Sequence, residues 1–111
     1  MRLKKSFLVV GLCLITSAAQ AQLVNCSQTV GTTAAPVSFG TGKPSKHLEI
    51  CNSHAANTLG VNYVGGTAVI GAAGTQTLAP GACKVWDDAA LPAAVSVIGS
   101  AVSTTTTCAF Y

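Results

Sequence analysis

Residues 47–52 read HLEICN, a segment in which polar and apolar side chains alternate. Side chains along a β-strand point to opposite faces in turn, so Leu48 and Ile50 share one face while His47 and Glu49 share the other. Because one face is apolar and the other polar, this segment predicts a strand that packs on a core. A weaker alternation follows, with Val61 and Tyr63 set against Asn62 and Val64.

On both sides of this segment, short β-prone runs alternate with clusters of Gly, Pro, Asn and Ser. No helix is predicted after residue 21. Nine strands are predicted: Leu23–Val30, Pro36–Phe39, Lys46–Asn52, Thr58–Val64, Thr67–Ile70, Thr75–Leu78, Ala82–Asp87, Ala94–Ile98 and Ala101–Phe110. Within this series, Gly65-Gly66 predicts a two-residue hairpin turn between Tyr63-Val64 and Thr67-Ala68. Strands at this spacing are typical of a small antiparallel β-sandwich or a partly open barrel.

The length of 111 residues allows one domain. Aromatic residues make up 5% of the chain, and much of its hydrophobic half is Ala and Val. Each buried residue then contributes little area, which favours a thin core between two sheets. The aromatic core candidates are Phe39, Trp86 and Phe110.

The first 21 residues have the pattern of a secretory signal peptide. Arg2, Lys4 and Lys5 precede an apolar run, and Ala19-Gln20-Ala21 matches the small-x-small cleavage pattern. The apolar run is too short to span a bilayer. We therefore expect a cleaved signal at residues 1–21, a single domain at residues 22–111, and a secreted or periplasmic product.

Removal of the signal changes the charge balance. The remaining charged residues are Lys43, Lys46, Lys84, Glu49, Asp87 and Asp88. Their formal charges cancel, so the mature chain lacks the basic patch that would neutralise several phosphates. This balance argues against nucleic-acid binding and against binding to an anionic membrane after signal cleavage.

The mature chain contains four cysteines, an even number that is typical of a disulfide framework in a short exported domain. Three pairings are possible. We prefer Cys26 with Cys108 and Cys51 with Cys83, because the first and last strands of a small sandwich commonly lie side by side. Cys51 and Cys83 also fall in separate predicted strands.

A metal site is the alternative use of one cysteine, because His47, Cys51 and His54 form an H-x3-C-x2-H pattern. On an extended strand residues 47 and 51 share a face and residue 54 points away, so the three converge only if the chain turns near Asn52. We expect disulfides here, with no metal and no cofactor.

Catalytic patterns are weak. Asp87 and Asp88 are adjacent and would face opposite ways on a strand, so we interpret them as turn residues, which leaves Glu49 without a carboxylate partner. A Cys–His pair built on Cys51 would need a free thiol, which an oxidised cysteine lacks. We expect no catalytic residue and no enzyme activity.

The candidate binding residues are aromatic: Trp86, Tyr63 and Tyr111. Trp86 has two interpretations, either a core residue or cross-strand partner, or an exposed platform for a sugar or other ligand. The two tyrosines carry the same ambiguity over a smaller area.

Six segments between residues 46 and 107 share a pattern with a known group of proteins: Glu49–Ser53, Asn57–Tyr63, Gly66–Ala68, Leu78–Ala82, Trp86–Asp88 and Ala94–Ala101. They resemble the small β-sandwich structural proteins of tailed-phage virions. In that group an I-x-N strand leads to a short hairpin, an L-x-PG turn and a closing V-x-V-I hairpin. The resemblance implies a structural role in a virion.

Cys26, near the mature N-terminus, precedes the V-x-F-G segment Val37–Gly40, and the last predicted strand is followed by Tyr111. In these two features the chain resembles, more weakly, exported pilus subunits of the spore coat U type. Both resemblances imply a protein that joins protein partners.

The terminal segments Leu23–Val30 and Ser103–Tyr111 support an assembly role, because they are β-prone and carry no charged side chain. Charged side chains usually protect free strand edges. These segments therefore either pair with each other or accept a strand from a neighbour. The alternative is a secreted ligand- or carbohydrate-binding module that remains monomeric and depends on Trp86.

Overall fold

The computed structural model describes residues 23–111. The predicted signal peptide, residues 1–21, and Gln22 lie outside the described residues. The described strands are β1 (Val24–Asn25), β2 (Gln28–Val30), β3 (Ala35–Pro36), β4 (His47–Asn52), β5 (Leu59–Asn62), β6 (Thr75–Leu78), β7 (Cys83–Asp87), β8 (Ser96–Gly99) and β9 (Thr104–Phe110).

These strands form two antiparallel sheets that pack together. In the first sheet β1 and β2 both pair with β9, which pairs with β4, and β4 pairs with β7. The order of the second sheet is β3-β8-β5-β6. The predicted all-β antiparallel sandwich is confirmed. One 3-10 turn, Asp88–Ala90, follows β7 at the predicted turn, and residues 23–111 include no helix of the length and hydrophobicity needed to cross a membrane.

The core lies between the sheets and follows the alternation of β4. Leu48 and Ile50 are fully buried, while His47, Glu49 and Cys51 occupy the outer face. The buried core cluster comprises Cys26, Val30, Val37, Leu48, Ile50, Leu59, Val61, Leu78, Trp86, Val95, Val97, Cys108 and Phe110. The three predicted aromatic residues all reach this core, with Phe39 packed edge-on against Phe110 at a centroid distance of 5.2 Å.

Two disulfides join neighbouring strands of the first sheet. Cys26 is bonded to Cys108 across a sequence separation of 82, and Cys51 to Cys83 across 32. The preferred pairing is confirmed. Cys26 lies within the predicted strand Leu23–Val30. This strand is split into β1 and β2, but both parts keep the same register against β9. The ladder is interrupted because the Cys108 amide donates to the Ser27 hydroxyl.

Asn52 connects the two sheets at one end of the core. Its side chain is fully buried, and its Nδ2 donates to the carbonyls of Asn57 and Leu78 at 2.7 and 3.0 Å. Its Oδ1 accepts the amide of His54. Leu78 ends β6, so this amide side chain ties β4 of the first sheet to the second sheet while satisfying its own polar groups.

The predicted hairpin at Gly65-Gly66 and the predicted strand Thr67–Ile70 are wrong. β5 instead pairs with β6, with Asn62 opposite Thr75, so residues 63–74 form one long loop. The Asn62 side chain closes the first part of this loop, because its Oδ1 accepts the amides of Val64 and Gly66. These hydrogen bonds replace the strand pairing that a hairpin would need.

This loop covers the outer face of the second sheet. A Cβ atom built on Gly60 would lie 3.1 Å from the Ile70 side chain and 2.9 Å from that of Ile98, so only glycine fits beneath the loop. Ala68 is buried, and its amide donates to the Ser96 hydroxyl. All four residues of β5 are buried as a result.

Other predicted strands exist but are shorter than expected. The segment predicted as Pro36–Phe39 forms a strand only at Ala35–Pro36, and the Val37 amide adds one further hydrogen bond to the Val95 carbonyl. The last strand begins at Thr104 rather than Ala101, because Ser103 has a φ of +59° within the preceding turn.

Candidate functional site

Tyr63, Trp86 and Lys84 form a cluster on the inner side of the first sheet, near the β7 edge. Trp86 packs edge-on against Tyr63, with ring centroids 5.2 Å apart. Lys84, two residues before Trp86 and thus on the same side of β7, places its Nζ 5.4 Å from the Tyr63 centroid and 5.7 Å from the Trp86 centroid. A lysine over two rings is a cation–π arrangement, in which the ammonium contacts the negative ring faces.

Burial divides the roles within this cluster. Trp86 is 4% exposed and belongs to the core, so its indole does not present a platform at the surface. Tyr63 is partly buried, and its hydroxyl donates to Gln76 Oε1 at 3.4 Å. The partly exposed Tyr63 ring and the Lys84 ammonium are therefore the groups in this cluster that a ligand can reach.

Tyr111 lies elsewhere, against the outer face of the first sheet. Its ring stacks on His47 with centroids 5.1 Å apart and an interplanar angle of 15°. The Tyr111 carbonyl accepts the amides of Ser45, Lys46 and His47, and its own amide donates to the His47 carbonyl. The three predicted aromatic residues thus form two separate groups on opposite sides of the sheet.

His47 also contacts two carboxylates. Its Nδ1 lies 2.8 Å from Asp87 Oδ1, and its Nε2 lies 3.8 Å from Glu49 Oε2. Asp87 is well exposed, and Asp88 occupies the 3-10 turn with a φ of +42°. Asp88 therefore acts as the predicted turn residue, while Asp87 partners His47 at the end of β7.

The three residues of the alternative metal pattern, His47, Cys51 and His54, do not converge. His54 uses its Nδ1 to accept the amides of Ala56 and Asn57 at 3.0 and 2.8 Å, which closes its own loop. Cys51 is bonded to Cys83, and His47 faces Asp87. The chain does turn after Asn52, but the turn directs the His54 ring into the loop rather than towards Cys51.

A different group of ligand-type atoms lies together on the outer face. Glu49, Cys51 and Cys83 place one such atom each within 4.8 Å of one another, but the two sulfurs are already bonded to each other. Glu49 Oε1 lies 3.2 Å from Cys51 Sγ. The sequence carried a signal for this neighbourhood, because residues two apart on a strand share a face.

A shallow groove continues along the outer face of the first sheet. Its volume is about 340 Å³, and its walls include Leu23, Val24, Cys51, Thr107 and Ala109. Leu23 is 63% exposed and Val24 45% exposed. The sequence indicates the edge segment but not the groove, because the groove depends on how β1, β9 and β4 lie side by side.

No family model, curated protein or solved structure matches this chain.

Proposed function

We propose that the chain is an exported, non-catalytic structural or interaction module that assembles with further copies of itself or other protein partners. The assembly would be part of a phage virion or another extracellular structure, such as a pilus-type filament. Two disulfides within residues 23–111 support an oxidising extracellular or periplasmic environment. The predicted signal peptide at residues 1–21 supports the same compartment.

The observation that carries this proposal is the β1–β2 edge, defined as residues 23–30. β1 and β2 pair with β9 on one side, and no described strand within residues 23–111 pairs with their other side. The Cys26 amide donates to the Cys108 carbonyl, so the alternation of an antiparallel ladder directs the Thr29 amide away from β9. Along this edge the Ser27 amide is taken by Asn25 Oδ1, whereas the Thr29 amide points outward and no side chain is charged. Such an edge can accept a further strand.

The other described edges are less suitable. β7 contains Lys84 and Asp87, and charged side chains on an edge strand oppose pairing with another chain. β3 has two residues, one of which is Pro36 and has no amide. β6 is uncharged but only four residues long. Within residues 23–111, the β1–β2 edge is thus the longest uncharged edge.

The groove beside this edge supplies apolar surface for the partner. Leu23 and Val24 are exposed at the edge and also line the groove. A strand added from a second copy would pair with the β1–β2 backbone and bury these two side chains. Such contacts would add burial that a domain of about 90 residues lacks by itself.

Sedimentation velocity of the mature, disulfide-bonded protein, at concentrations that span about a hundredfold range, tests the proposal. We expect self-association that increases with concentration and is lost in Thr29→Lys, which places a charge on the β1–β2 edge. Val85→Lys is the matched control, because Val85 is 45% exposed on the opposite edge strand of the same sheet. Wild-type protein that stays monomeric throughout would contradict self-assembly.

The alternative is a secreted ligand- or carbohydrate-binding module, supported by the partly exposed Tyr63 ring beside Lys84. A monomer that binds an oligosaccharide and loses it on Tyr63→Ala, but not on Tyr111→Ala, would favour this alternative. In that case association through the β1–β2 edge would be wrong.

A further inference from the structure

The two disulfides lie on opposite faces of the first sheet. Cys26 and Cys108 are 5% and 4% exposed and belong to the core between the sheets. Cys51 is partly exposed on the outer face, and Cys83 is exposed on β7. Two bonds of the same chemical type therefore differ strongly in their access to solvent.

We propose that the Cys51–Cys83 disulfide is a thiol-exchange site that an external dithiol, such as that of an exported thiol oxidoreductase, opens while Cys26–Cys108 stays closed. A thiolate of the dithiol attacks Cys83 Sγ, the Cys51–Cys83 bond breaks, and Cys51 leaves as a thiolate. The second thiol of the dithiol then attacks the mixed disulfide and releases Cys83. The dithiol becomes a disulfide and the protein gains two electrons and two protons.

Position on the edge strand makes Cys83 the sulfur that is attacked. β7 pairs with β4 on one side, and within residues 23–111 no strand pairs with its other side. Attack needs an approach along the disulfide axis from the side of the attacked sulfur. Cys83 offers that approach from solvent, whereas Cys26 and Cys108 lie beneath the second sheet and need the sandwich to open first.

Glu49 limits the rate of this exchange. Its Oε1 lies 3.2 Å from Cys51 Sγ, the sulfur that must leave as an anion. A carboxylate at this distance repels both the incoming thiolate and the departing one. Because the Glu49 side chain is 43% exposed, water weakens the repulsion without removing it. Glu49 thus acts on the disulfide indirectly, because its negative charge slows the exchange without taking part in it.

The fold tolerates opening of this bond. β7 remains paired with β4 through five residue pairs, and Trp86 anchors it in the core. Cys26–Cys108 still links the strands at the two ends of the described chain. We therefore expect the reduced protein to stay folded, at a lower free energy of unfolding, with two thiols on the outer face of the first sheet.

Partial reduction of the mature protein with dithiothreitol, followed by alkylation with N-ethylmaleimide and peptide mass mapping, tests the proposal. We expect Cys51 and Cys83 to be labelled at least about tenfold faster than Cys26 and Cys108, at a rate that rises linearly with dithiothreitol. Equal labelling of all four cysteines, or a rate that is independent of dithiothreitol, would mean that reduction requires unfolding and would overturn the proposal.

A charge variant tests the role of Glu49 separately. Glu49→Gln should raise the rate of labelling at Cys51 and Cys83 by about two- to fivefold. Asp88→Asn is the matched control, because it also removes one carboxylate and Asn tolerates the positive φ at this turn. An unchanged or slower rate in Glu49→Gln, or an equal increase in Asp88→Asn, would overturn the assignment of Glu49.

Discussion

The two sheets of this sandwich are held by different means. The first sheet contains both disulfides and all the charged residues found in strands, namely Glu49, Lys84 and Asp87. The second sheet has no cysteine and no charged residue in any of its four strands. The first sheet is thus stabilised by covalent bonds and carries the charged groups, whereas the second sheet is stabilised by close packing.

Their outer faces differ for the same reason. The first sheet leaves its outer face open, with a groove beside the β1–β2 edge. The second sheet is covered by its own loop, residues 63–74, which packs Ile70 against Gly60. The covered face buries Asn62, and the loop supplies the amides that satisfy the Asn62 and Ser96 side chains. An open face instead needs polar groups in water or a partner.

Removal of the disulfides should have the largest effect, because these covalent bonds link strands of the first sheet and none lies in the described second sheet. By the loop-entropy model, Cys26→Ala/Cys108→Ala should lower the free energy of unfolding by about 4 to 5 kcal/mol, and Cys51→Ala/Cys83→Ala by about 3 to 4 kcal/mol. The buried pair also leaves space in the core. Urea denaturation of both double variants measures the difference, and an equal or larger loss for the outer pair would contradict the account.

Gly60→Ala should have the next largest effect, because it acts on the close packing of the second sheet. The added methyl group would collide with Ile98 and Ile70 and lower the free energy of unfolding by about 1 to 3 kcal/mol. Gly31→Ala is the matched control, since a Cβ there meets no heavy atom within 4 Å. If thermal denaturation finds both variants equally stable, the loop does not pack on Gly60 as described.

Substitution of two buried threonines of β9 tests side-chain hydrogen bonding within the first sheet and should have the smallest effects. The buried Thr106 hydroxyl has no hydrogen-bond partner within residues 23–111. Thr106→Val should therefore raise the free energy of unfolding by about 1 kcal/mol. Thr104→Val should lower it by about 1 to 2 kcal/mol, because the Thr104 hydroxyl donates to the Ala101 carbonyl and accepts from Asn57 Nδ2. Chemical denaturation that finds the same sign for both variants would contradict this assignment.

The sequence was most informative for the first sheet. The alternation at residues 47–52 predicts β4 with its inner and outer faces, because a half-exposed strand must separate polar from apolar side chains. Adjacency of the terminal strands predicts the Cys26–Cys108 bond, and the position of Cys51 and Cys83 in separate predicted strands predicts the other. A sheet with one exposed face can be predicted from its sequence, because its strands must alternate polar and apolar residues.

The second sheet was less predictable because both of its faces are covered. The alternation at residues 61–64 is weak since Asn62 is buried on the side that usually faces water. Gly65-Gly66 has the local pattern of a hairpin, but the Asn62 side chain takes the amides that decide the outcome. A local pattern does not reveal that a distant loop will cover a strand.

The candidate site was predictable only in part. Tyr63, Trp86 and Tyr111 were identified by type, but their division into two groups depends on tertiary packing. The same is true of the contact between Lys84 and the two rings. The proximity of Glu49 and Cys51 was predictable, because residues two apart on a strand share a face. The exposure of Cys83 on an edge strand, which makes the disulfide reachable, was not predictable from that spacing.

Assembly through the β1–β2 edge can be observed residue by residue with hydrogen–deuterium exchange at low and high protein concentration. We predict that amides within residues 23–30 exchange more slowly as concentration rises, because a neighbouring strand would then hold them. Amides of β7, the opposite edge of the same sheet, should exchange at a constant rate. Exchange within residues 23–30 that does not depend on concentration, or protection that develops at β7 instead, would contradict the account.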